Sequence, residues 1–272
     1  MPYRRAPWFV GLTVAVILVG FWPSYFGAVG RVPWQFHVHG IAASLWVAMV
    51  LAQSILIGKA QLPLHRAIGT ASLFLFPFLI GGLFAIVDYS GKSFSRSHDP
   101  VETMLGGAFA TGMLIAAAAY VTVFFRALKY RRKVWVHAGY MLSTPLILFE
   151  SPFSRVLGMF VPGFVVTGPA TFDRILPGIV WSMALELLFV AWLWFRFRER
   201  ARPFLVTGAF IAVQMVVMTM AAGSRLFDPL LLAIGAAPSA AVVAVGMAIG
   251  AGASWLGWRA GRRDKRLVSV AA

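Results

Sequence analysis

Apolar residues in this chain gather into eight long runs, roughly 8–27, 35–58, 64–88, 101–125, 134–150, 175–195, 204–222 and 239–258, divided by short polar loops. Each run is near the ~20 residues that a helix rising ~1.5 Å per residue needs to cross ~30 Å of hydrocarbon. None alternates with a period of two, which argues against the ~10-residue strands of a barrel. Within lipid the backbone must satisfy its own hydrogen bonds, which leaves helices. The pattern therefore predicts an all-α fold, a polytopic membrane helix bundle of eight transmembrane helices. Aromatic residues at the run ends, among them Trp8, Trp22, Trp34, Tyr130, Trp135, Trp194 and Trp258, read as the belt that sits at headgroup level.

The loops alternate between rich and poor in Lys and Arg. One side carries Arg4, Arg5, Lys59, Arg66, Arg126, Lys129, Arg131, Arg132, Lys133, Arg196, Arg198, Arg200, Arg202, Arg259, Arg262, Arg263, Lys265 and Arg266. The other carries Arg31, Lys92, Arg96, Arg155, Arg174 and Arg225. Since basic residues in short loops stay cytoplasmic, the split predicts N-in and C-in. The run behind Arg4 and Arg5 is long for a secretory signal and no clear A-x-A site follows it, so we read it as the first span.

The 272 residues leave no room for a soluble domain beside the spans, and we read them as a single transmembrane domain. The formal charge of +15 is spread beside the spans and not gathered in one patch, which points to a bilayer with anionic headgroups and away from nucleic acid. Ala-, Gly- and Arg-rich usage without cysteine suggests a bacterial inner membrane. The absent cysteine also excludes thiolate metal sites, iron–sulfur clusters and covalent haem attachment.

Two outer segments depart from simple hairpins. Ser151-Pro152 reads as an N-cap and an N1 proline opening a short surface helix over 152–161. The stretch between spans 7 and 8 is long enough for a re-entrant or surface turn. On the last span Gly246, Gly250 and Ser254 form a small-residue stripe for a close helix partner, internal or in a second subunit.

Five histidines and one intramembrane carboxylate carry the readable chemistry. His37, His39 and His98 fall at the outer face, His65 and His137 at the inner face in helical first turns. On span 2, His39, Trp46 and Gln53 recur every seven residues and stay within about 40° of one another, so His39 is the expected inward histidine. On span 5, His137, Tyr140 and Thr144 make a polar stripe, either a packed seam or part of a site. The positive helix end keeps a first-turn imidazole neutral, the form that ligates metal. Glu186 lies near the middle of span 6 with Gln214 at matching depth on span 7. A charge there costs at least ~2.5 kcal/mol, so the carboxyl is expected to be neutral or clasped by Gln214. It marks either a proton-coupled transporter or small-molecule binder, or an interhelical clasp without chemistry in an accessory subunit. His37 or His39 with His98 and Asp99 would make an outer metal site.

The segments QFHVHGIAASLWVAMVLAQSILIGK, LPLHRAIG, SHDPVETMLGG and WVHAGYMLS place histidines on spans 2 to 5 in a pattern that resembles the transmembrane di-haem cytochromes b of the ascorbate-reductase type. It is also similar to uncharacterised bacterial membrane proteins of like helix pattern. The resemblance covers residues 35–150. It implies a cytochrome-b-like five-helix part (1–150) followed by an additional three-helix part (151–272). It further implies b-type haem held by His39 with His98 and by His65 with His137, Gln53 and Tyr140 tuning the rings. Transmembrane electron transfer with a quinone or redox partner is the activity it implies. Asp99-Pro100-Val101-Glu102 starts the fourth helix after His98, which makes the inner pair the stronger one.

Overall fold

A computed structural model describes residues 3–96 and 100–268, with side chains for 3–96 and 105–262. The helices are α1 Ala6–Phe21, α2 Trp34–Gly58, α3 Leu62–Arg96, α4 Pro100–Lys129, α5 Val134–Phe160, α6 Ile175–Phe197, α7 Arg202–Ala221, α8 Asp228–Ala236 and α9 Ser239–Val268. Turns of 3-10 helix lie at Phe26–Arg31, Pro169–Arg174 and Arg198–Ala201. No strand occurs among the described residues.

Among the described residues five stretches are long and apolar enough to cross a membrane: Trp34–Gly58, Leu62–Arg96, Leu105–Lys129, Pro169–Ala221 and Ser239–Arg262. The fourth contains both α6 and α7, broken at Arg198–Ala201. α1 is apolar but has only 16 residues, and α5, with 27, carries Ser143, Thr144, Glu150 and Arg155 within its length. The chain is thus an all-helical protein with membrane-crossing segments, consistent with an integral membrane protein.

A ring cluster fills the space between α2, α3, α4 and α5. Trp46, Phe76, Tyr120 and Phe124 are fully buried, with Phe76 stacked on Phe124 at 4.1 Å and Trp46 edge-on to Phe124 at 5.2 Å. The two polar atoms in this layer are satisfied: Trp46 Nε1 donates to Thr144 Oγ1 at 2.9 Å, and Tyr120 Oη to the Thr144 carbonyl at 2.8 Å. Buried donors without partners would cost more than the bonds return, so these two contacts also fix how α2 and α4 meet α5.

Several boundaries differ from the sequence expectation. The third helix does not stop at residue 88 but runs to Arg96, because Lys92 pairs with Asp88 one turn back and donates to the Ala237 carbonyl at 3.0 Å. Gln35 Nε2 adds a bond to Asp88 at 3.3 Å, so the buried carboxylate is matched from two helices.

The separate surface helix at 152–161 is absent. α5 passes through Pro145 and Pro152 unbroken. Pro145 removes the N–H that the Met141 carbonyl would accept, and the Thr144 hydroxyl donates to that carbonyl instead, at 2.8 Å. Pro152 is buried against Gly20 of α1, so close that a Cβ at 20 would overlap its carbonyl.

The unplaced stretch before the last span holds α8, packed on α3 through buried Leu231 and the close approach of Gly235 to Gly91. The small-residue stripe of α9 faces inward as well. Gly246 meets Phe84 and Gly250 meets Pro77 and Phe76, all on α3, while Ser254 is buried. The close partner admitted by the stripe is α3 of the same chain.

Candidate functional site

The residues singled out from the sequence are drawn into two different settings. Those on α2, α3 and α5 belong to helix seams. His39 faces inward as expected, with its backbone against Gly82 and its Nδ1 buried without a partner among the described residues. His37 turns the other way and meets the Tyr25 hydroxyl at 3.3 Å. Gln53 does not touch the His65 ring; its Nε2 donates to the His65 backbone carbonyl at 3.0 Å and closes the α2–α3 turn. His137 Nδ1 bonds the Ala127 carbonyl of α4 at 2.9 Å, Tyr140 Oη accepts from Arg126 at 3.1 Å, and Thr144 Oγ1 accepts from Trp46. The stripe on α5 is therefore spent on tying α5 to its neighbours. His98 and Asp99 lie outside the described residues, and with them the outer pair and the outer metal site. Among the described residues no cluster of three or more His, Asp or Glu is placed to hold a metal ion.

A porphyrin between α2 and α5 meets the ring cluster. His137 lies seven residues from Thr144, about 10 Å along the helix. At the depth of Thr144 the space is filled by Trp46, Phe76, Tyr120 and Phe124, packed as densely as protein interiors are. His137 lies to one side of that layer, near enough to His65 for the two rings to interact. There the ring bond to Ala127 leaves His137 Nε2 as the free nitrogen.

The second setting is a cleft of about 1070 Å³ between α1 and α6, floored by α5. α1 packs on α5 and α5 on α6, whereas α1 and α6 meet chiefly through rings: Phe9 lies 5.3 Å from Phe189 and 6.0 Å from Trp192. Its walls are apolar, drawn from Val10, Leu142, Leu146, Phe149, Phe153, Leu185 and Phe189 among others. Pro145 also lines it, so the proline that frees a backbone carbonyl in α5 presents its ring to the cleft. At one end stand Arg4, Arg5 and Arg196, all exposed and without ion pairs among the described residues.

Deeper in the cleft sits Glu186. Its side chain is 3% exposed, and its Oε1 has no hydrogen-bond partner among the described residues. It faces α5 at Glu150, whose carboxyl acts on it electrostatically and whose backbone hydrogen-bonds its carboxyl. The expected clasp with Gln214 does not form. Gln214 Nε2 points instead at Met218 Sδ, 3.9 Å away on its own helix, and Met218 packs on Gly112 of α4. The matching depth of the two residues was readable; their azimuth was not, because α7 turns that face toward α4.

Glu186 was visible in the sequence as a lone carboxylate in an apolar run. The cleft was not. Arg4, Arg5 and Arg196 are far apart in the chain and read there only as topology signals; nothing short of the α1–α5–α6 packing brings them to one rim. Comparison with family models, with curated proteins and with solved structures finds no match.

Proposed function

We propose that this chain is an integral membrane protein that binds a lipophilic small molecule in the α1–α5–α6 cleft, with Glu186 as its polar, proton-carrying contact. The observation that carries this reading is a large apolar cleft with Glu186 on its lining and three arginines without ion pairs among the described residues at one end. A cavity of several hundred Å³ or more, mostly apolar with a few convergent polar groups, is the usual form of a small-molecule site. Eight spans with both termini on the basic, cytoplasmic side of a bacterial inner membrane complete the proposal, and the loop charges support that arrangement. Photolabelling tests it. A diazirine-bearing fatty acid irradiated with the protein in neutral-lipid nanodiscs should label Phe149, Phe153 and Leu185 well above the exposed apolar residues of α9. Equal labelling of all lipid-facing helices would refute a cleft site.

One observation favours a second reading. The His137 Nδ1 bond to a backbone carbonyl is the arrangement that orients a ligating imidazole, and b-type haem at the rim shared with His65 would supply electron transfer. His137→Ala should then abolish most of the Soret band of protein expressed with haem supplied, while His98→Ala leaves it nearly intact. A parent protein without a Soret band ends this reading.

A further inference from the structure

We propose that the cleft seats an acidic phospholipid, its phosphate held by Arg4, Arg5 and Arg196 and an acyl chain lying along the aromatic wall. The proposal rests on the cleft reading above and names the class of its ligand. Three observations set this site apart from the general attraction of a basic membrane face for acidic lipid.

The first is which cations are unspent. Many basic side chains of the arginine-rich side are engaged by the protein itself: Arg126 donates to the Tyr140 hydroxyl, Arg131 to the carbonyls of Leu128 and Trp258, and Arg202 pairs with Glu199. Arg200, Arg259 and Arg262 lie over the rings of Trp135, Trp255 and Trp258. The Arg4 and Arg5 side chains make no such contact among the described residues, and Arg196 lies only over Phe197, at 5.4 Å. These three guanidinium groups, carried by α1 and α6, line one end of the cleft. α1 adds the positive end of its dipole there, since its first turn holds no acidic residue and no side chain caps it. Guanidinium forks match phosphate oxygens two at a time.

The second is the direction of access. Phe9, Leu12, Leu185 and Trp192 line the cleft and are each at least 40% exposed on the outside of the bundle. The cleft therefore opens sideways, toward hydrocarbon, and the bilayer itself is its supply. A soluble phosphate compound would leave the apolar wall unused. A neutral lipophile would leave the arginines unmatched.

The third is depth. Along α1 the lining runs from Arg5 to Thr13, about 12 Å, and along α6 from Arg196 back to Leu185, about 17 Å. Both are close to half of the ~30 Å hydrocarbon thickness. The cleft is one leaflet deep, which suits the chain of a lipid whose head stays at the arginine rim.

Native mass spectrometry of the full chain in a neutral detergent tests this with phosphatidylglycerol and phosphatidylcholine of identical chains at equal concentration. The expected result is about tenfold stronger retention of phosphatidylglycerol, the yield of roughly one charge-assisted contact. Arg5→Gln with Arg196→Gln should bring the two lipids to within about twofold. Arg66→Gln with Arg132→Gln, which removes as much charge from exposed positions off the lining, should leave the tenfold preference intact. Equal retention of the two lipids by the parent protein overturns the proposal while leaving the cleft reading in place. So does a preference lost equally in both double variants, which would mark a general surface attraction, and so does palmitate that displaces phosphatidylglycerol at equal concentration, which would make the occupant a free fatty acid. Retention of neither lipid overturns the proposal, and overturns the cleft reading with it where the diazirine fatty acid also leaves the cleft no more labelled than α9.

Discussion

Glycine-to-alanine changes at residues 250 and 252 of α9 separate helix propensity from helix packing, because the two positions lie about 200° apart on one helix. Alanine in a helix interior is favoured over glycine by about 0.5–1 kcal/mol. At Gly252 nothing lies within 4 Å of an added Cβ, so Gly252→Ala should gain that amount. At Gly250 the same Cβ would meet the Pro77 Cα at 2.8 Å, the Phe76 carbonyl at 3.2 Å and the Ile80 Cβ at 3.3 Å. These are backbone and β-branched atoms of α3 that no rotamer change moves aside. Overpacking of this kind costs about 1–3 kcal/mol, which outweighs the propensity gain and leaves a net loss of about 1–2 kcal/mol. A chain of this size shifts by about 2–4 °C per kcal/mol. Gly250→Ala should therefore melt about 2–8 °C below the parent, and Gly252→Ala about 1–4 °C above it, followed by tryptophan fluorescence in a mild detergent. Gly81→Ala belongs between them, since its nearest neighbour is the flexible Met247 side chain. Equal shifts at 250 and 252, or a gain at 250, would show that α9 does not pack on α3 through its small-residue stripe.

Topology follows from the loop charges: single cysteines introduced at Ser95, Tyr130, Val165 and Arg200 should react with an impermeant thiol reagent alternately from outside, inside, outside and inside. Two neighbouring sites on the same side would overturn the span assignment. Tyr3, outside the membrane segments, donates to the Arg200 carbonyl at 2.6 Å, and burial pushes its hydroxyl up to about 12, with Arg200 acting in the opposite direction. The unfolded chain releases this proton near 10.0, so the folded state holds it longer and stability falls as pH rises from about 10 to 12. Tyr3→Phe should lose about 1 kcal/mol at neutral pH and show a shallower alkaline decline. Identical melting-temperature profiles against pH for the two proteins would remove Tyr3 from that role.

What the sequence carried was the one-dimensional part of the structure. Runs such as 35–58 and 175–195 stand within a few residues of α2 and α6 because hydropathy and helix length are set by the same hydrocarbon thickness. Ends failed where a tertiary contact overrode a local signal. Ser151-Pro152 has the form of a helix start, yet the packing of Pro152 on Gly20 and the cost of free backbone groups in lipid keep α5 continuous. Asp88 reads as the last residue of its run until Lys92 and Gln35 are seen to match it and the helix to continue. For the candidate site, Glu186 was identified by its charge alone, since an apolar run offers no other reason for it. Its surroundings depend on which way α6 and α7 are rotated, and a helix apolar on nearly all sides does not reveal that. The same blindness paired Glu186 with Gln214, whose side chain is turned to α4.

The central claim is that the α1–α5–α6 cleft is a ligand site, and the most direct measurement is a structure of the protein extracted with its own lipids into polymer nanodiscs. The account predicts elongated density that begins among Arg4, Arg5 and Arg196, follows Phe149 and Phe189, and ends beside Glu186. A map in which α1 closes on α6, with Phe9, Phe149 and Phe189 filling the space, would contradict it.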